Sequence, residues 1–196
     1  MDRAQNFSEQ PTVETFGSAS AEQSDEEIHV GHYCTMMIMG VDPGSTRTGY
    51  GIVRKEGTHA RHVDSGVIRA SSGLSQPKRL WAIYQQLEEV ACEHNPAVMV
   101  VESLFHAHNS QSLMKLSQIR GVILLLGEAR GMEIFEYSPM EIKKGLTGYG
   151  KAEKKQIMYM VGQVLGLADL KSSDQADALA MALYHSHLCL PQRVAR

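Results

Sequence analysis

Residues 38–53 read IMGVDPGSTRTGYGIV, and the fold turns on how this stretch is parsed. An apolar run from Met36 to Val41 suits a buried strand, Asp42-Pro43-Gly44-Ser45 breaks it, and an aromatic and β-branched run resumes at Tyr50. Pro43 lacks an amide hydrogen and Gly44 tolerates positive φ, so the chain turns where the strand ends. A carboxylate therefore stands at the strand tip. Asp42 either opens a hairpin turn, as Asp-Pro-Gly does in many proteins, or is held on a rigid strand for a metal ion. A second and third carboxylate at other element ends would decide for the ion.

Upstream, residues 1–36 are rich in Ser, Glu, Gln and Thr and lack any apolar periodicity, so a disordered acidic extension is expected. One of Met36, Met37 and Met39 is the expected natural start, with what precedes it a mis-set start or a dispensable tail. The extension holds seven acids against Arg3 alone, a balance of −6 in a chain whose total is −3. Residues 37–196 are therefore mildly basic, at +3, and the overall charge does not exclude a nucleic-acid partner.

Downstream, a third strand is expected between His62 and Ile68, giving an antiparallel meander. Leu80, Tyr84, Leu87 and Ala91 recur at helical spacing in Gln76–His94, and Asn95-Pro96 ends that helix. Ala97–Val101 is short, apolar and β-branched, as a strand covered on both faces requires, and it runs into Glu102. Asn109–Gly131 reads as a long helix whose segment Val122–Leu126 is apolar all round, leaving one face to bury against the sheet and another against a second copy of the chain. Glu133–Tyr137 is a further strand. Ser138-Pro139 opens a short helix that breaks at Gly145–Gly150, Ala152–Leu165 forms the next, and Ser172-Ser173-Asp174-Gln175 has capping-box spacing for a last helix over Ser173–Leu188. The expected class is α/β, with a central mixed five-stranded sheet flanked by helices on both faces.

At 196 residues and 43% hydrophobic content, one domain over residues 37–190 with a flexible tail over 191–196 is expected. No apolar run approaches the roughly 18 residues of a membrane span and no signal peptide is evident, so a cytoplasmic location without a membrane partner is expected. Cys34, Cys92 and Cys189 are too scattered for a zinc knuckle or a disulfide framework, and Cys92 is expected to be a small core residue on its helix.

Asp174 and Asp177 stand three apart in the first turns of the last helix, on one face of it. The helix dipole alone would favour acids there. However, Ala176, Ala178, Leu179, Ala180, Ala182 and Leu183 make the helix small and apolar, so it should pack closely on the sheet. Buried acids need partners, and no Lys or Arg lies between Ser172 and Leu190. Asp42, Glu102, Asp174 and Asp177 thus form a set of four hard oxygen donors on rigid element ends, suited to Mg²⁺ or Mn²⁺. Their −4 would be neutralised by two divalent ions, and without such ions at least one carboxyl would keep a proton.

Five segments carry a family resemblance in order. They are Val41-Asp42-Pro43-Gly44-Ser45 with Thr48-Gly49-Tyr50-Gly51; Val101-Glu102-Ser103-Leu104-Phe105 with Asn109-Ser110; Phe135-Glu136-Tyr137; Ala152-Glu153-Lys154; and Asp174-Gln175-Ala176-Asp177-Ala178-Leu179-Ala180. Together they resemble the RuvC family of bacterial Holliday junction resolvases. The resemblance implies an RNase H-like fold, a homodimer, symmetric paired nicking of four-way DNA junctions, and a branch-migration complex of RuvA and RuvB as partner. It also implies that Asp42, Glu102, Asp174 and Asp177 are the catalytic, metal-binding acids, served by two Mg²⁺ ions that Mn²⁺ may replace.

The same resemblance assigns DNA contacts to Lys143 and Lys154, and to Phe105 stacking on an unpaired base. Charge alone adds Lys144, Lys151 and Lys155, since phosphate contacts need only cations. Gly145–Lys151 fits the first seven positions of a phosphate-binding loop, but the eighth is Ala152 and a helix precedes it, so a nucleotide site is not expected there. His106, His108, His185 and His187 are expected to be ordinary surface or helix-end residues. Related folds that bind ATP between two domains need about twice this length.

Overall fold

The computed structural model describes residues 35–103, 110–168, 170 and 172–189. Five strands form one sheet: β1 (Thr35–Asp42), β2 (Arg47–Glu56), β3 (His59–Arg69), β4 (Val98–Glu102) and β5 (Glu133–Tyr137). The helices are α1 (Gln76–His94), α2 (Ser110–Ala129), α3 (Pro139–Thr147), α4 (Lys154–Leu165) and α5 (Ser173–Leu188). Strand order is β3-β2-β1-β4-β5, with the first three antiparallel and β1, β4 and β5 parallel to one another. This mixed sheet with helices on both faces is the RNase H-like fold.

The two-residue period of the central strands sorts their side chains between two cores. On one face Met39 and Val41 of β1 and Met99 and Val101 of β4 pack with Ile83 and Leu87 of α1 and Ile119, Ile123 and Leu126 of α2. On the other, Ile38, Val98 and Val100 pack with Ile157 and Val161 of α4 and with Leu179 and Leu183 of α5. Burial on both faces explains why β4 carries four apolar residues in succession.

Helix α5 lies unusually close to the sheet. A Cβ on Gly40 would stand 2.0 Å from the carbonyl oxygen of Ala178, and one on Gly49 would stand 2.0 Å from that of Asp174. Both neighbours are backbone, which cannot turn aside, so only glycine lets α5 settle on β1 and β2. Strand β2 also holds the helix end: the buried Lys55 ammonium donates to the Ser186 carbonyl at 2.7 Å, capping an acceptor in the last turn.

Several local expectations change. β1 begins at Thr35, two residues before the expected domain start, because Thr35 and Met36 pair with Glu56 and Lys55 of β2. Helix α3 continues through Gly145 to Thr147, since Gly145 is where the Tyr184 ring packs and a Cβ would stand 2.1 Å from it. Helix α4 starts at Lys154 rather than Ala152, behind a capping box between Glu153 and Gln156. Ser172 does cap α5 by position, but its side chain makes no capping bond; its hydroxyl accepts from Arg47 instead. Cys92 is exposed, not core, on the side of α1 away from Ile83, Leu87 and Ala91. His185 and His187 both stand in the last turn of α5 as expected, but His185 is buried, with its Nδ1 hydrogen-bonded to the Tyr137 hydroxyl at 2.8 Å, whereas His187 is exposed. The expected extension, His106, His108 and the tail beyond residue 190 lie outside the described residues.

Gly40→Ala should lower the unfolding free energy by about 1–3 kcal/mol through forced separation of α5 from β1. A urea midpoint equal to that of wild type would mean the helix can retreat without cost.

Candidate active site

Position in the two parallel strands brings the first two acids together. Val41 of β1 is in register with Val101 of β4, so the next residues, Asp42 and Glu102, end their strands side by side. Since Val41 and Val101 face α1 and α2, the alternation turns Asp42 and Glu102 toward α5. Helix α5 then brings Asp177. These three carboxylates line one pocket of about 190 Å³, with Lys143 of α3 and Lys154 of α4 on its rim and Ile142, Ile157, Ala180 and Met181 in its wall.

The clustering has an electrostatic signature. Asp42 is pushed from 3.8 up to about 7, first by burial and then by the charges of Asp177, Glu102 and Asp174. Burial and Asp177 raise Glu102 as well, against the opposing pull of Lys154, Lys143 and Arg120. One acid of the set therefore keeps its proton near neutrality, as their gathering predicts.

Cations from distant parts of the chain answer the acids of α5, which its own sequence could not do. Lys154 donates to Asp177 Oδ2 at 3.2 Å, and that contact raises the lysine pKa. Asp174 does not line the pocket: Arg47 of β2 holds its Oδ2 at 2.7 Å through Nε while Nη2 donates to Ser172. The Arg47 contact is an ion pair outside hydrogen-bonding geometry. Asp174 Oδ2 is consequently buried without a hydrogen bond.

The donor set fits a divalent cation of the hard, oxygen-seeking kind. All four candidates are carboxylates, one carries a buried oxygen lacking a hydrogen bond, and another has its pKa pushed up by burial and by its acidic neighbours. Among the described residues no three His, Cys, Asp or Glu converge tightly enough to form a finished ligand group, and Asp177 and Asp174 are ion-paired with Lys154 and Arg47.

Of the expected DNA-contact residues, Lys143 and Lys154 reach the pocket. Lys144 and Lys151 are exposed on the same helical region without lining it. Lys155 lines a neighbouring groove with Thr147, Tyr149 and Tyr159. Phe105 lies outside the described residues. Two residues that sequence reasoning passed over belong to the site: Arg47, five positions after Asp42 in the hairpin, and Arg120 of α2, a buried cation whose Nη1 donates to the Glu102 carbonyl at 2.7 Å. The available signal for Arg120 was a lone Arg inside the apolar run from Ile119 to Leu126.

Residues 38–185 match the family model for the crossover junction endodeoxyribonuclease RuvC. The RuvC protein of Natranaerobius thermophilus is 45% identical over 152 residues, covering 77% of this chain and 94% of that protein. That of Geobacter sulfurreducens is 41% identical over 161 residues, covering 82% and 98%. Among solved structures, Thermus thermophilus RuvC in complex with a Holliday junction substrate superposes with a TM-score of 0.74 at 32% identity, covering 78% of this chain and 94% of that one.

The folded state holds the Asp42 proton up to about pH 7, whereas the unfolded chain releases it near 3.8, so the native state binds more protons across that window. Asp42 therefore removes stability as pH rises from about 4 to about 7. Asp42→Asn should melt close to wild type near pH 4 and roughly 10 °C above it at pH 8 in EDTA. Calorimetry that finds no widening of the gap with pH would sink the account of Asp42.

Proposed function

The chain belongs to the family of the crossover junction endodeoxyribonuclease RuvC, and on that footing we propose that Asp42, Glu102, Asp174 and Asp177 together hold the divalent ions with which it cuts four-way DNA junctions. It is a Holliday junction resolvase, an endonuclease of DNA recombination and repair. The observation that carries the site assignment is the register of β1 and β4, which sets Asp42 and Glu102 side by side opposite Asp177 in a pocket rimmed by two lysines.

Mg²⁺ is the proposed ion, two per site with Mn²⁺ as substitute, because four carboxylates and no softer ligand select hard cations. When bound, such ions supply a water of lowered pKa as nucleophile and offset charge on the leaving oxygen. The protein's own part is placement. Asp42 and Glu102 are fixed by strand ends, and Asp177 by a helix that cannot slide on the sheet. Release of the Asp42 proton completes the anionic set. Lys154 and Lys143 set positive charge beside the acids, where a DNA phosphate must come to be cut, and Lys144, Lys151 and Lys155 extend that charge over the adjoining surface. Phe105, three residues past Glu102, is assigned to stacking on a base unpaired at the crossover.

The substrate has two equivalent strands, so two sites are needed, and we assign the second to another copy of the chain. The outer side of α2 supports this: Met114 and Leu125 are 63% and 65% exposed, and a Cβ on Gly121 between them would meet nothing within 4 Å. Trp81 of α1, which packs beside α2, is also exposed. A cytoplasmic location and cooperation with the RuvA–RuvB branch-migration complex follow from the same assignment. No described helix is long and apolar enough to cross a membrane.

Incubated with a synthetic mobile four-way junction and Mg²⁺, wild type should make paired nicks, and EDTA should stop them. Asp42→Asn, Glu102→Gln, Asp174→Asn and Asp177→Asn should each reduce cleavage by at least about a thousandfold, on the order of 4 kcal/mol of barrier, while gel-shift affinity stays within a few-fold. Retained cleavage in any one of them would remove that acid from the set.

The paired substitution of Met114→Glu with Leu125→Glu, which puts two negative charges on this apolar face, should give a folded monomer by light scattering that no longer nicks both strands. If the variant still elutes as a dimer, the interface lies elsewhere.

A further inference from the structure

Arg120 is a charge in the wrong place for a surface helix. It follows Ile119 in α2, on the side facing the sheet, and only 8% of its surface is exposed. A guanidinium that is buried must find acceptors, or the cost of desolvation is not recovered. It finds two, on different strands: Nη1 donates to the main-chain carbonyl of Glu102 at the end of β4, and Nη2 is ion-paired with the Glu136 carboxylate on β5. On the β5 side, the Ser103 amide donates to the Tyr137 carbonyl at 2.9 Å. The peptide joining Glu102 to Ser103 is thus held at both its polar groups, by Arg120 on the oxygen and by β5 on the nitrogen.

That peptide closes β4, and the residue that supplies its carbonyl also carries the carboxylate that must face the pocket. We propose that Arg120 is a positioning residue for the cleavage reaction, locking the strand tip so that the Glu102 carboxylate points at the ion-binding pocket shared with Asp42 and Asp177. The inference rests on the assignment of Glu102 to that pocket. Arginine suits the task where lysine does not, because its planar fork serves a carbonyl and a carboxylate at once in a fixed relative geometry, whereas an ammonium on a flexible stem fixes neither.

The test uses the full chain and four variants: Arg120→Met, Arg120→Lys, Glu136→Gln and Glu102→Gln. Mn²⁺ binding is measured by calorimetry without DNA, junction affinity by gel shift in EDTA, and the Mg²⁺ concentration for half-maximal cleavage in single turnover. Arg120→Met should weaken Mn²⁺ binding and raise the Mg²⁺ midpoint by about tenfold or more, the usual consequence of removing a group that orients a metal ligand. Junction affinity in EDTA should stay within about twofold, since Arg120 itself lies away from the DNA-facing lysines. Arg120→Lys should recover part of the loss and Glu136→Gln should shift both metal readouts in the same direction by less. If Arg120→Met does not fold, the Lys and Gln variants decide alone. Folded variants with wild-type Mn²⁺ affinity and Mg²⁺ midpoint would reduce Arg120 to a packing role, provided Glu102→Gln shows the expected loss. Should Glu102→Gln also bind Mn²⁺ and cleave as wild type does, the site assignment itself fails and the role of Arg120 with it.

Discussion

The contact on which this structure depends is the seating of α5 directly on the backbone of β1 and β2. Gly40 and Gly49 leave no side chain between the layers, so carbonyl oxygens of the helix occupy space that any Cβ would fill. Interiors transmit such steric limits because they are packed near crystal density. Depth of seating fixes where the first turns of α5 lie relative to the end of β1, and hence how near Asp177 comes to Asp42. The geometry of the acid pocket is set by the absence of two methyl groups rather than by any bond among the acids, which repel one another.

Strand β2 makes that seating directional. Lys55 ties down the last turn of α5 through the Ser186 carbonyl, and Arg47, eight residues earlier on the same strand, engages Ser172 and Asp174 at its start. A helix gripped at both ends by one strand can neither slide nor swing, so its acids stay in phase with the strand tips. Arg120 performs the comparable service from the other side of the sheet for β4. The two faces therefore divide the labour: one supplies acids, and the other, through a single buried cation reaching the strand end, holds the strand that carries one of them.

Much of this was legible in the chain because the signals were local. The hairpin at Asp42-Pro43-Gly44, the bounds of α1 and β5, and the four apolar residues of β4 followed from residue type and period. The four acids stood out because each closes or opens an element; three of them line one pocket, and Asp174 is instead held by Arg47. What could not be read was pairing between distant segments. The lack of cations near Asp174 and Asp177 is true of α5 alone, yet Arg47 and Lys154 answer them from β2 and α4. Cys92 looked like core because a free cysteine usually is, and only the rotation of α1 on the sheet shows it pointing outward. Phase along a helix is set by its partners, which a single sequence does not display.

The same contacts explain how a fold tolerates a site that works against it. Asp42 near pH 7 is half protonated, so the gathered carboxylates weigh on the native state at the pH where the enzyme must act. Two uninterrupted cores, one on each face of the sheet, stand behind those strand ends and resist the repulsion that would splay them. Lysines relieve part of it: Lys154 of α4 pairs with Asp177, and Lys143 of α3 lines the same pocket. A cation fixed permanently among the acids would steady the protein and close the pocket to divalent ions. Two lysines leave the acids short of full neutralisation, and that deficit is what a divalent cation would relieve.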